Sequence, residues 1–437
     1  MNLKTDRRSF IKGFGAALGS LGLWGIRKDT EASSLEAKLA EIENLDPAEV
    51  AKDESFWFQV QEAFDVDRSM INLNNGGVHP APRMVMSALH RYLDFANAAP
   101  TANSWGYIRP RRELIRAKIA ETFGCSPEEI AITRNVTESL QIALLGLDLK
   151  PGDEIITTTH DYPSMKNALF QREKREGVKV KLVPFPYPPP SMKELVDCFA
   201  QNITPRTKMI LVCHITNLTG QIFPVRDICQ LAREKGVEVV IDGAHSFGHF
   251  VYQQKDLDCD IYGANLHKWM MAPIGTGFLF VKKEKIKKIW PLFPAPEPQG
   301  DDIRKFEHYG THPEPIWLAI GEALTFHHSL GPKRKEERLR YLKNYWSRAL
   351  AKLPGVRVLT SFDPKMACGL GSFTIEKMDL VRLSQVLMEK HKIHTTAGVL
   401  PDGVQFMRIT PSIYTTLQEL DYFIEVVSHY IKSGLPA

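Results

Sequence analysis

Val239-Val240-Ile241-Asp242-Gly243-Ala244-His245 and, a spacer later, Tyr262-Gly263-Ala264-Asn265-Leu266-His267-Lys268-Trp269 are the stretches from which the fold of this 437-residue chain is read. The first is an apolar run ending in a carboxylate. The second is an apolar segment ending in a lysine about one strand–helix–strand step later. A carboxylate at the end of a buried strand is costly unless a cation meets it. A protonated pyridine nitrogen is such a cation, and a lysine opposite it supplies the amine that a cofactor aldehyde requires. Both residues also have plainer readings: Lys268 as a solvated strand end, and Asp242 as a cap on the turn at Gly243-Ala244.

Working outward, helical and strand patterns alternate. Helices are predicted near 111–123, 137–147 and 164–176, and strands near 130–133, 154–158, 178–183, 209–214, 237–241, 261–264 and 277–281. That alternation implies an α/β architecture with a mainly parallel sheet. Past Glu314 the pattern changes to long helices near 316–329 and 334–353, with strands near 372–375 and 404–410, which reads as a smaller α+β domain. Before the sheet, 70–77 reads as a short strand entering a glycine turn. The chain is therefore expected to divide into a leader and linker (1–34), a segment joining the small domain (35–84), a large domain (85–313) and a small domain (314–437).

With 43% hydrophobic and 24% charged residues and a net charge of +4, the composition is that of an ordinary globular protein. Basic residues alternate with acidic ones and form no stripe, which argues against nucleic acid as a partner. The six cysteines show no CxxC and no close His/Cys spacing, so neither a metal site nor a disulfide framework is expected. At the N-terminus, Asp6-Arg7-Arg8-Ser9-Phe10-Ile11-Lys12 precedes a mildly apolar run from Gly13 to Ile26, too short to span a bilayer comfortably. This resembles a twin-arginine export signal, which carries folded, cofactor-loaded proteins and implies a periplasmic location, or a membrane anchor if the signal is not cleaved. No other run is long and apolar enough to cross a membrane.

A phosphate group needs backbone amides and hydroxyls at a helix start, where the helix dipole also favours an anion. Thr133-Arg134-Asn135-Val136-Thr137-Glu138 is such a strand-to-helix turn, with Asn135, the amide of Val136 and Thr137 as candidate phosphate donors and simple capping by Thr137 as the alternative. Asn265 and His267, flanking Lys268, are candidates for the same phosphate. A pyridine nitrogen, an aldehyde and a phosphate together specify pyridoxal 5'-phosphate.

These stretches, with Asn72-Leu73-Asn74-Asn75-Gly76, His160-Asp161-Tyr162, Thr216-Asn217-Leu218-Thr219-Gly220, Tyr309-Gly310-Thr311 and Arg408-Ile409-Thr410, occur in the order seen in class V aminotransferases of PLP fold type I. The chain resembles that family from about Ile71 onward, and within it the branch around isopenicillin N epimerase and the cysteine desulfurases. The resemblance implies a large domain with a mainly parallel seven-stranded sheet, a smaller α+β domain, and a homodimer with shared active sites. It implies a Schiff base on Lys268, with Asp242 and His245 as its catalytic companions. Tyr162 would stack on the cofactor, and Asn217 and His245 would lie near its phenolic oxygen. Thr311 would reach the phosphate of a neighbouring subunit. Arg408 would clamp a substrate α-carboxylate, with Asn75 and the Gly76 backbone on the other side, although a strand-end arginine paired with a surface carboxylate is the plainer reading.

One departure narrows the activity. The similar desulfurases carry a nucleophilic cysteine shortly before the carboxylate arginine, and here that loop reads Thr396-Ala397-Gly398-Val399-Leu400-Pro401-Asp402. Epimerase-like or β-lyase-like chemistry at Cα of an amino-acid-like substrate is therefore expected ahead of transamination. A non-catalytic exported binding protein that kept the fold is the alternative from another class. Tyr107, Arg109, Tyr309 and His312 are candidates for lining the substrate pocket.

Overall fold

The computed structural model describes residue 35 and residues 37–436, so the arginine pair and the apolar run of the expected export signal lie outside the described residues. Of the described residues, those up to Asn44, helical at 35 and over 37–41 and a turn over 42–44, belong to one unit, and those from Leu45 onward to the other.

In chain order the strands are β1 (Ile71–Asn72), β2 (Ile130–Thr133), β3 (Glu154–Thr158), β4 (Lys179–Val183), β5 (Thr207–Cys213), β6 (Glu238–Asp242), β7 (Ile261–Asn265), β8 (Gly277–Val281), β9 (Val356–Val358), β10 (Gly371–Ile375), β11 (Ile393–His394), β12 (Thr396–Val399) and β13 (Gln405–Ile409). Seven of them form the large sheet in the order β2-β8-β7-β6-β5-β3-β4. Its inner strands read as near-continuous apolar runs because both faces are covered. Ile210, Val212, Val239 and Ile241 enter the core on one face, and Met209, Leu211 and Val240 enter that on the other.

Six strands of this sheet run parallel, and β8 is antiparallel to both β7 and β2. The cause is the connection. Only 266–276 joins β7 to β8, with no helix to carry the chain back to the other end of the sheet, so the strand returns in the opposite sense. The C-terminal ends of β2, β3, β5, β6 and β7 consequently share one edge, the edge at which such sheets bind ligands.

A second sheet, β12-β13-β10-β9, is antiparallel throughout and carries the smaller layer. Residues 71–73, before the large layer, pair and pack with it. Strand β1 pairs with β11, the Leu73 amide donates to the His394 carbonyl at 2.9 Å, and Leu73 is buried with Leu342, Trp346, Phe373 and Ile409. One expected boundary moves. The helix Pro315–Leu330, assigned from sequence to the small domain, packs Trp317, Ala319, Ile320, Ala323 and Leu324 into a core of the large sheet. A helix apolar on nearly every side cannot lie on a surface, and it fills the space against the helices Arg83–Ala98 and Arg109–Phe123.

The end strand β2 is held by charge as well as by pairing. Arg116 and Glu307, both fully buried, form a fork at 2.6 and 3.0 Å, and Glu307 also accepts from the Ile132 amide at 2.6 Å. This fixes the strand from which the candidate phosphate turn departs.

Candidate active site

At the shared edge each strand delivers a polar group just past its last residue. After β3, Asp161 is buried, accepting from the Thr158 amide (2.7 Å) and hydroxyl (2.5 Å) and from the Cys213 amide at the end of β5 (2.9 Å). Those bonds set Tyr162, the next residue, at the head of the helix Pro163–Glu176 with its ring partly exposed. In sequence Asp161 is only one member of a His-Asp-Tyr motif; its role as the tie between β3 and β5 comes from the fold.

Asp242 ends β6 in register with Gly263 on β7, and its Oδ1 accepts from the Ala244 amide at 2.9 Å. The turn cap is therefore present, but it uses one oxygen. Burial, with the Asp161 carboxylate nearby, pushes Asp242 up to about 6, against the pull of Lys268 and of the amide bond. A carboxylate so raised is one that a buried cation would stabilise. The turn leaves no room for a side chain at Gly243, where a Cβ would stand 2.0 Å from the Tyr262 ring.

Lys268 lies three residues past β7, its Nζ 2.9 Å from His245 Nε2. Burial and the Arg408 guanidinium lower its amine to about 8, opposed by Asp242 and Cys213. It is not a solvated strand end. His245 is driven well below the usual histidine range by burial, then by Lys268, Arg408, His249 and His267.

At the start of the helix Val136–Gly146 the donors are arranged differently from the expectation. Asn135, not Thr137, is the cap, its Oδ1 accepting from the Glu138 amide at 2.9 Å. The Val136 amide, expected to face the phosphate, donates to Asn265 Oδ1 at 2.9 Å. That bond fixes the Asn265 amide so that its Nδ2 hydrogens are the ones offered to an anion. Thr137 lies in the first helical turn, half-buried. His267 Nδ1 is 3.2 Å from the Thr276 carbonyl, so that nitrogen carries the proton, and burial lowers the ring to about 4. As a neutral ring it presents a bare Nε2; it donates to a phosphate only as an imidazolium, which an adjacent anion favours.

Arg408, on β13, is 7% exposed, and its described partners are the Asn217 carbonyl (3.0 Å) and Asn74 Oδ1 (2.7 Å). Neither is a carboxylate, and Nε has no partner among the described residues. The surface ion pair considered as its plainer role is therefore absent among those residues. Burial lowers the guanidinium to about 10, which leaves it charged at neutral pH. Asn217 Oδ1 is likewise buried without a partner.

The other side of this clamp is corrected. Asn75 is fully buried, giving Nδ2 to the carbonyls of Asn72 and Thr410 and accepting at Oδ1 from Asn72 and Tyr414, while the Gly76 amide donates to Thr410 Oγ1 at 2.9 Å. Both have their bonding capacity spent on the small layer, and the neighbour that meets Arg408 is Asn74. Its amide is oriented by His394, 3.2 Å from Nδ2. The motif around residues 72–76 carried that signal, and the side chain's alternation along the segment was the missing step. Thr311 is exposed. Of the other rim candidates, Arg109 is bound to the buried Glu314, Tyr309 lies under the Arg134 guanidinium at 5.5 Å, and His312 stacks on Trp317.

The arrangement fits a pyridoxal phosphate group. A buried acid, a lowered amine and a helix start with an oriented amide meet at one edge, and a guanidinium with no carboxylate partner among the described residues is supplied from β13.

Comparison with known proteins agrees with that geometry. The family model for aminotransferase class V matches residues 71–423. Isopenicillin N epimerase of Streptomyces clavuligerus is 27% identical over 382 residues, covering 84% of this chain and 96% of the relative. A probable cysteine desulfurase of Synechocystis is 28% identical over 391 residues, covering 83% and 91%. Among solved structures, the cystine C–S lyase C-DES with its reaction product cysteine persulfide superposes with a TM-score of 0.74 at 24% identity, covering 83% and 98%, and the C-DES mutant with glycine covalently linked to its PLP cofactor with 0.75 at 23% identity, covering 84% and 98%.

Proposed function

The chain belongs to the class V aminotransferase family, with pyridoxal phosphate as its cofactor, and on that premise we propose that it acts at Cα of an amino acid or amino-acid-like compound with an epimerase-like or β-lyase-like outcome. The observation that carries this reading is Arg408, a buried cation with unpaired N–H donors and no carboxylate partner among the described residues. A substrate α-carboxylate supplies the missing anion in a side-on fork. When bound, the cofactor supplies a protonated ring that draws off the electrons left at Cα as a bond there breaks. Asp242 holds that ring's proton. Lys268, an amine lowered toward neutrality, removes the Cα proton on its own face; inversion then needs a proton delivered to the opposite face by a second acid, whereas the lyase outcome needs a β-leaving group and no second base. Tyr162 offers an aromatic face and Asn265 an oriented amide.

Desulfuration is the weaker assignment, although desulfurases are among the relatives. The loop before Arg408 holds no thiol, and Cys368 is buried against the His249 carbonyl, its thiol pushed up to about 12 by burial. Transamination shares the first proton removal and is the alternative within the family. A screen of L- and D-amino acids in deuterated water, following Cα exchange, pyruvate, keto acids and sulfide together, tests the reading. Exchange with inversion identifies an epimerase and pyruvate a lyase; keto acid alone, sulfide with alanine, or no exchange from a cofactor-loaded sample refutes it.

We further propose export by the twin-arginine route to the periplasm and assembly as a homodimer in which Thr311 serves the neighbouring site. Periplasmic reporter activity abolished by Arg7→Lys with Arg8→Lys tests the first, and light scattering of the purified chain the second.

A further inference from the structure

The Lys268–His245 contact has a third member. Trp269 is fully buried, and its indole Nε1 donates to His245 Nδ1 at 3.4 Å. The indole is fixed on its face, stacked on the His249 ring at 3.7 Å and 12°, and through its backbone, where the carbonyl takes the buried Lys335 Nζ. His249 is itself pinned: its Nε2 accepts from the Gly369 amide at 2.8 Å, and its Nδ1 donates to the His245 carbonyl at 2.8 Å. An indole N–H donates only, so His245 Nδ1 carries no proton and the ring is neutral with its proton on Nε2. That proton points at Lys268 Nζ.

We propose that Trp269 is a positioning residue for Lys268: its indole holds His245 in the Nε2–H tautomer, which donates to the lysine nitrogen and so favours the uncharged amine. An ammonium has no lone pair to accept such a bond. The groups facing the pair act in both senses: Lys268 and Arg408, then the neighbouring His249 and His267, oppose a charge on His245, Arg408 opposes charge on Lys268, and Asp242 and Cys213 favour it. Without the indole N–H, the imidazole proton moves to Nδ1, and the bare Nε2 accepts from an ammonium. The inference rests on the reading of Lys268 as the amine that takes up the cofactor.

The test is Trp269→Phe in the full-length protein, which keeps a ring on His249 and loses the N–H. Two quantities are measured. The His245 tautomer is read from long-range proton–nitrogen correlation spectra of the wild type, with and without cofactor, the resonance being assigned with His245→Gln. The pH midpoint for uptake of pyridoxal phosphate by cofactor-stripped protein is followed by absorbance; there a neutral amine adds to the aldehyde carbon and water leaves, so the rate follows the uncharged lysine. The expected results are an Nε2–H ring in the wild type and a midpoint raised by about one pH unit in the variant, equivalent to roughly tenfold slower uptake on the acid side. A wild-type ring protonated on Nδ1, or an unmoved midpoint in a folded variant, overturns the proposal. If Trp269→Phe does not fold, the wild-type spectrum decides alone. If the wild type takes up no cofactor, the functional reading falls, and the spectrum still decides the tautomer.

Discussion

Replacing Arg408 with glutamine isolates the carboxylate subsite. The guanidinium gives one N–H each to Asn74 Oδ1 and the Asn217 carbonyl, which leaves Nε and the remaining hydrogens to form a fork on an anion. Each charge-assisted bond contributes about 1.5–3 kcal/mol, so the two-bond fork is worth about 3–6 kcal/mol. At ~1.4 kcal/mol per factor of ten, kcat/KM for the best amino acid should fall roughly 10²- to 10⁴-fold. Folding should change little, because no described carboxylate is left unpaired and a glutamine amide still reaches one of the two acceptors. A second effect has a fixed sign. Arg408 lowers the Lys268 amine, so the variant's lysine rises and the acid limb of its pH–rate profile moves to higher pH. The assay compares kcat/KM for the amino acid with that for the corresponding amine lacking the carboxylate. Only the first should fall. Equal losses for both compounds, or no loss for either, would refute the carboxylate role.

Three further outcomes are expected. Glu307→Gln should destabilise the protein by about 2–4 kcal/mol in urea titration, because it removes the fully buried one of Arg116's two carboxylate partners, leaving only the half-exposed Glu113, and weakens the tie to Ile132; a change under 1 kcal/mol would contradict this. Burial lowers Lys335 to about 7 in the folded state, so between pH 7 and 10.5 the unfolded chain binds more protons and stability contributed by this group rises with pH, with the full penalty present below 7. Lys335→Met should flatten that rise in urea midpoints taken across the window, and parallel curves for the two proteins would count against it. Gly243→Ala places a methyl in the Tyr262 ring and should weaken cofactor affinity by about tenfold or more through the Asp242 turn, at a folding cost of about 1–3 kcal/mol; equilibrium dialysis with pyridoxal phosphate checks this.

The fold was legible where burial wrote itself into the pattern. Runs such as Ile130–Thr133, Glu154–Thr158 and Gly277–Val281 have the expected strand bounds because both faces of the large sheet are covered. The direction of β8 was not legible, since an apolar run carries no sense of direction and the short return from β7 decides it. The placement of Pro315–Leu330 was not legible either, because apolar periodicity says that a helix is buried and not against which layer. At the site, residues 72–76 were legible as a polar turn, but which asparagine faces Arg408 was not, because the turn's path orients Asn74 toward the guanidinium and Asn75 into the small layer.

Read alone, the chain determined its class of chemistry: a carboxylate at one strand end, a lysine past the next, and a phosphate-type helix start far upstream are local features set by residue type and spacing. Tertiary structure decided which groups are spent and which are free. Asn75, Gly76 and the Val136 amide were drawn into bonds with partners far along the chain, while Arg408 Nε and Asn217 Oδ1 were left buried and unpaired. The reason is that a buried polar group must find a partner wherever the packing puts one, and that accounting closes only over the whole fold. The Trp269–His245–Lys268 line is of the same kind: the segments after β6 and β7 meet because the two strands lie side by side, an adjacency no spacing in the sequence states.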